Sequence, residues 1–118
     1  MLHRMQWDIV HGSGLAVGTL LEHLQSELEL FASANTLQMV EAHLLVMAQT
    51  LAHLSPPLRQ RLLQIDWHGW QRLRQLLEQD TQPRREEIWY AVHALVPATL
   101  QLIEELRRQE PLWFEINY

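Results

Sequence analysis

Leu37, Val40, Leu44, Met47, Leu51 and Leu54 recur at alternating three- and four-residue spacing, the most constraining pattern in this 118-residue chain. At 3.6 residues per turn that spacing sets six large apolar side chains on one narrow stripe of a helix, predicted over residues 36–54. Such a stripe is stable in water only where other helices cover it, as in the interlocking packing of a bundle. A second face of the same helix carries Met39, His43, Val46, Thr50 and His53. Its mixed polarity suits contact with a subunit or partner. Ser55-Pro56-Pro57 ends the helix, because proline supplies no N–H and disfavours helical backbone in the residue before it.

The remaining segments also read as helices. Leu20, Leu24, Leu28 and Phe31 predict a helix over 15–33, and Ser33 or Asn35 can cap the next one. Gly12, Ser13 and Gly14 predict an irregular N-terminal arm over 1–14, from which Trp7, Ile9 and Val10 can still pack. A short helix is expected over 58–64. Asp66 can then cap a helix from about Trp67 to Gln79, with Trp67, Trp70, Leu73 and Leu77 facing inward. Thr81-Gln82-Pro83 reads as a stop and restart, with Thr81 as cap. The last helix spans about 84–109 and buries Ile88, Val92, Leu95, Thr99, Ile103 and Leu106, with Pro97 expected to kink it. Pro111 ends the pattern, and Leu112-Trp113-Phe114 forms an apolar tail within 110–118 that should fold back or dock on a neighbour. The expected fold is all-α: a single domain, 1–118, built as an up-and-down antiparallel four-helix bundle with an additional short helix.

Composition narrows the function classes. With 47% hydrophobic residues the chain can bury a working core. It has no cysteine, so disulfide and thiolate chemistry are excluded. No apolar run reaches the roughly 18–20 residues of a membrane span, and no basic-then-apolar leader opens the chain, so a cytoplasmic location without membrane contact is expected. The net charge of −5 argues against a nonspecific nucleic-acid coat. All nine basic residues are Arg, and six of them (Arg59, Arg61, Arg72, Arg74, Arg84, Arg85) lie between positions 59 and 85. That stretch can form a local anion site, since the guanidinium fork matches phosphate and carboxylate, or it can pair with the acidic flanks. Seven histidines are scattered without metal-ligand spacing, so no metal and no cofactor are expected. Trp67, Trp70 and Trp89 read as core before base-stacking groups.

Ile65-Asp66-Trp67, the run Arg74-Gln75-Leu76-Leu77-Glu78-Gln79-Asp80-Thr81, the pair Ile88-Trp89 and Val96-Pro97 together form a further pattern. It resembles the HepT-like branch of the HEPN superfamily, small all-α proteins encoded beside minimal nucleotidyltransferases. The resemblance covers about residues 20–107. That family reads Ile-Pro-Trp, then Arg-Asn-x-Leu-x-His-x-Tyr, then Ile/Val-Trp and Leu-Pro. Scaffold letters agree, whereas the chemical letters have changed: Gln75 stands for Asn, Gln79 for His and Thr81 for Tyr. Met47-Ala48-Gln49-Thr50 likewise replaces the family's Ile-Gly-Glu-Ala.

The resemblance implies a HEPN-like bundle and a homodimer in which the Arg-x(4–6)-His motifs of two chains meet at a cleft. In the family, Arg holds phosphate and His moves a proton while a ribose 2′-hydroxyl attacks, without a metal. Arg74 matches the Arg, but the Gln79 amide cannot shuttle a proton. Thr81 takes the place of the Tyr thought to be modified by the partner nucleotidyltransferase, and its hydroxyl also reads as a helix cap. The implied function is a HepT-like dimer of a toxin–antitoxin-like pair with a minimal nucleotidyltransferase, its RNase chemistry weak or lost. The alternatives are an active RNA endonuclease using Arg74 with an unorthodox donor such as His68, and a plain helical dimerisation module.

Overall fold

The computed structural model describes residues 2–22, 24, 26–79 and 85–114. Among them all regular structure is helical: α1 (Leu2–Glu22), α2 (Glu27–Ala32), α3 (Ala34–Ala52), α4 (Pro56–Gln60), α5 (Trp67–Gln79), α6 (Arg85–Tyr90), a π-helical segment (Ala91–Leu95), α7 (Val96–Gln109) and a 3₁₀ turn (Pro111–Phe114). α3 packs against both α1 and α5, α7 packs against α1, and the π-helical segment meets α5. No helix among the described residues is long and apolar enough to cross a membrane.

The N-terminal segment differs from expectation. Instead of an irregular arm over 1–14, α1 runs unbroken through Gly12-Ser13-Gly14. A glycine in a helix costs about 1 kcal/mol relative to alanine, whereas burying one large apolar side chain contributes about 1.5–3 kcal/mol. Trp7, Val10 and Val17 all enter the core from α1, so burial wins. Gly14 has its own packing reason: a Cβ there would lie 2.6 Å from Leu100 Cδ1, so α7 crosses α1 where a side chain is missing. Ser13 is buried, with its Oγ 3.4 Å from His43 Nδ1 of α3.

The helix expected over 15–33 is also divided. α1 stops at Glu22, and Ser26 starts α2 by accepting the Glu29 N–H at 3.3 Å. The restart alters which side chains turn inward. Leu28 is 69% exposed, while Leu30 is fully buried. Ser33 sits at the start of α3, its carbonyl accepting the Leu37 N–H and its hydroxyl bonded to Thr36.

α3 carries the leucine-rich seam as read from the sequence. Val40, Leu44, Met47 and Leu51 are fully buried, Leu54 nearly so and Leu37 partly. Met39 and Val46 on the second face are exposed. Pro56 and Pro57 occupy the first turn of α4, where a missing N–H costs nothing. That helix is shorter than the expected 58–64, and successive turns carry the chain on to Ile65, burying Leu58, Leu62 and Ile65.

α5 has the expected bounds. Asp66 Oδ1 accepts the Gly69 N–H at 2.8 Å, capping the helix. The cap sits close to Gly69: a Cβ there would lie 2.5 Å from Asp66 Oδ2, so a side chain at 69 would require the carboxylate to shift. Trp70 is buried and donates its indole N–H to Thr99 Oγ1 of α7 at 2.8 Å, satisfying two buried polar groups at once.

In the last helical stretch all six expected side chains (Ile88, Val92, Leu95, Thr99, Ile103, Leu106) are buried. Pro97 acts by widening the helix: it removes one N–H and its ring crowds the preceding turn. The chain responds with the π-helical segment, and Val96 N–H reaches back to Ala91 O. The tail folds back on α1, with Phe114 buried edge-on to Trp7 and His3 Nδ1 3.1 Å from the Trp113 carbonyl.

Candidate functional site

α5 holds most of the candidate residues. Arg74 lies one turn before Glu78 and donates from Nε to Glu78 Oε1 at 2.8 Å. Gln49 of α3 donates to the same oxygen at 3.4 Å. The Arg74 hydrogen bond, then that of Gln49, hold the Glu78 carboxyl below the usual carboxylate range. Gln75 and Gln79 are exposed, Gln79 as the last residue of α5. Thr81 lies outside the described residues, as do Asp80 and Arg84.

The arginine-rich stretch is mostly neutralised by carboxylates. Arg61 pairs with Glu110, Arg72 with Glu87 at 3.3 Å and Arg85 with Glu27 at 2.9 Å, besides the Arg74–Glu78 pair. Pairing with the acidic flanks therefore accounts for most of the local charge. Arg59 is different. Its guanidinium stacks on the Trp67 ring 4.5 Å from the centroid, and no carboxylate among the described residues pairs with it. Trp67 is fixed from below, its indole N–H donating to Leu62 O at 3.0 Å.

Arg59, Trp67, His68, Gln71 and Arg74 line a cavity of about 390 Å³ whose apolar wall comes from α3 and Trp70. A second cavity of about 380 Å³ lies on the other side of the start of α5, where Asp66, Glu86 and Glu87 outnumber Arg72, which pairs with Glu87. There Tyr90 donates its hydroxyl to Asp66 Oδ2 at 3.2 Å. Desolvation, then the Asp66 carboxylate, push the Tyr90 phenol above its ordinary value. His68 is exposed and borders both cavities.

The structure thus brings Arg74 and His68 to one cavity, and leaves Gln75 and Gln79 outside its lining. Arg59 and Gln71 complete the lining, yet neither stands out in the sequence. Arg59 was visible there only as one of six arginines, because the corner between α4 and α5 brings it onto Trp67. The other described histidines serve local contacts: His3 bridges Ser55 and Trp113, His11 stacks on Trp7, His43 faces the Ser13 hydroxyl, His53 bonds Gln49 O, and His93 packs on Trp89. Among the described residues no group of three or more His, Asp or Glu side chains could hold a metal ion. No family model, curated protein or solved structure matches the chain.

Proposed function

We propose that the chain is a HEPN-like, HepT-like helical protein that acts as the homodimeric partner of a minimal nucleotidyltransferase, with its own RNase chemistry weak or lost. The observation that carries this reading is the separation of scaffold from chemistry. Ile65 and Ile88 of the family-like pattern are buried, Trp67 and Trp89 pack against the core, and Asp66 caps the helix that bears the motif. Gln75 and Gln79 instead are exposed on that helix, and Arg74 is half-buried at the edge of the cavity. At the motif's acid–base position stands an amide, which has no titratable proton to exchange near neutral pH. Arg74 is tied to Glu78.

A four-helix bundle is the arrangement that goes with this reading. It is supported by the pairwise contacts: α3 has α1 and α5 as neighbours, while the α6–α7 stretch touches α5 through its π-helical segment and α1 through α7. The homodimer is supported by exposed apolar side chains on the paired α1 and α3, namely Met5, Ile9, Met39 and Val46. A cytoplasmic setting, a minimal nucleotidyltransferase and RNA as a possible ligand belong to the same proposal.

The test is cleavage of labelled total RNA and transfer RNA by the purified protein beside a Gln79→His variant. The expected result is a silent parent and a cutting variant. A parent that cuts RNA would overturn the loss of chemistry. It would favour the second reading, an endonuclease in which Arg74 and His68, which border one cavity, act together. In that case Arg74→Ala must abolish cleavage.

A further inference from the structure

We propose that the cavity between α3, α4 and the start of α5 is a binding site for an organic phosphate monoester, held by Arg59, His68 and Arg74. Three observations carry it. First, the lining is one-sided in charge: among the described residues it contains two guanidiniums, an imidazole and the Gln71 amide, and no Asp or Glu. The neighbouring cavity, of similar size and sharing His68, has three carboxylates beside its one guanidinium, Arg72. Second, Arg59 lies with its Cζ over the Trp67 ring, 4.5 Å from the centroid, and Trp67 itself is anchored by its bond to Leu62 O. A stacked guanidinium keeps its N–H edge for a planar, two-pronged contact with a phosphate and loses little side-chain freedom on binding. It also departs from the pattern of Arg61, Arg72, Arg74 and Arg85, each paired with a carboxylate. Third, the volume of about 390 Å³ falls at the lower end of small-ligand sites. It exceeds what a bare phosphate needs. The wall of Ala48, Leu51, Ala52 and Trp70 is apolar, which suits an organic group.

Phosphate fits this donor set better than a carboxylate, since a monoester dianion brings close to two charges and three acceptor oxygens. Glu78 opposes it in part, through its bond to Arg74 Nε. The site would therefore rest first on Arg59 and His68. This inference stands apart from the nuclease reading, because it requires neither RNA nor a proton donor.

The experiment is a calorimetric titration of the full-length protein with phenyl phosphate, inorganic phosphate and phenol. Phenyl phosphate is expected to bind saturably and more tightly than either inorganic phosphate or phenol. Arg59→Gln and His68→Gln should each weaken it about ten-fold or more, the usual effect of losing a hydrogen bond to a charged group. His68 is exposed, so its variant should melt like the parent, and it keeps the test valid if Arg59→Gln unfolds the α4–α5 corner. Absence of saturable binding by phenyl phosphate would overturn the proposal. So would phenol binding equally well, or a folded His68→Gln variant that binds like the parent.

Discussion

Thr99→Val tests how α5 is joined to the C-terminal helix. The substitution keeps shape and volume nearly constant and removes one hydroxyl. In the parent, that hydroxyl receives the Trp70 indole N–H at 2.8 Å, and both residues are almost wholly buried. In the variant the N–H keeps its cost of desolvation and has no partner, which amounts to about 1–3 kcal/mol. A domain of this size has about 5–15 kcal/mol in total, so the loss should be plain in urea denaturation at fixed protein concentration, as a lower midpoint with an unchanged slope. Trp70→Phe should cost more, since it also leaves a cavity where the larger ring stood, at about 3–5 kcal/mol for severe truncations of aromatic side chains and less here. The double variant, with both polar groups gone, should cost less than the sum of the two by roughly 1 kcal/mol, the coupling expected of partners in contact. Strict additivity, or a Thr99→Val variant within about 0.5 kcal/mol of the parent, would refute the claim that this bond helps to hold α5 against α7.

Two further outcomes follow from α5. Asp66→Ala removes the cap of that helix and should destabilise the protein by about 1 kcal/mol, read by thermal melting; an unchanged melt would mean that the cap contributes nothing. Glu78 is held below its ordinary pKa chiefly by Arg74, so its stabilising contribution is present above the ordinary carboxylate range and is lost as pH falls through its lowered folded value. Arg74→Ala should move the Glu78 midpoint upward in a carboxylate-detected NMR titration. An unmoved midpoint would show that the pair does not persist in solution.

The parts of the fold that could be read from sequence are those governed by neighbours in the chain. Asp66 caps α5 because its own backbone places its carboxylate against the Gly69 N–H three residues on. Pro56-Pro57 ends α3, and the seam from Val40 to Leu54 is buried because helical spacing alone gathers it on one side. The errors lie where distant packing overrides local preference. Gly12-Ser13-Gly14 reads as a breaker, yet Gly14 is where Leu100 comes close and Ser13 is where His43 comes close. At Pro97 the sequence marks the position of an irregularity but not its form, a π turn just before the proline in a helix that keeps Val92, Leu95 and Thr99 buried.

The candidate site divides in the same way. Helical pitch fixes the positions of Arg74, Gln75 and Gln79 along α5, and side-chain chemistry alone denies Gln79 a proton-transfer role. Composition likewise reveals a basic stretch flanked by acidic ones. Which carboxylate answers which arginine was set only in three dimensions, since Glu27 meets Arg85 across 58 residues and Glu110 meets Arg61 across 49. Arg59 was left on Trp67, beside His68 and Arg74, by the corner between α4 and α5. Periodicity and capping act over one or two turns and are therefore written in local order. A cavity depends on how separate helices meet, and no local spacing encodes that.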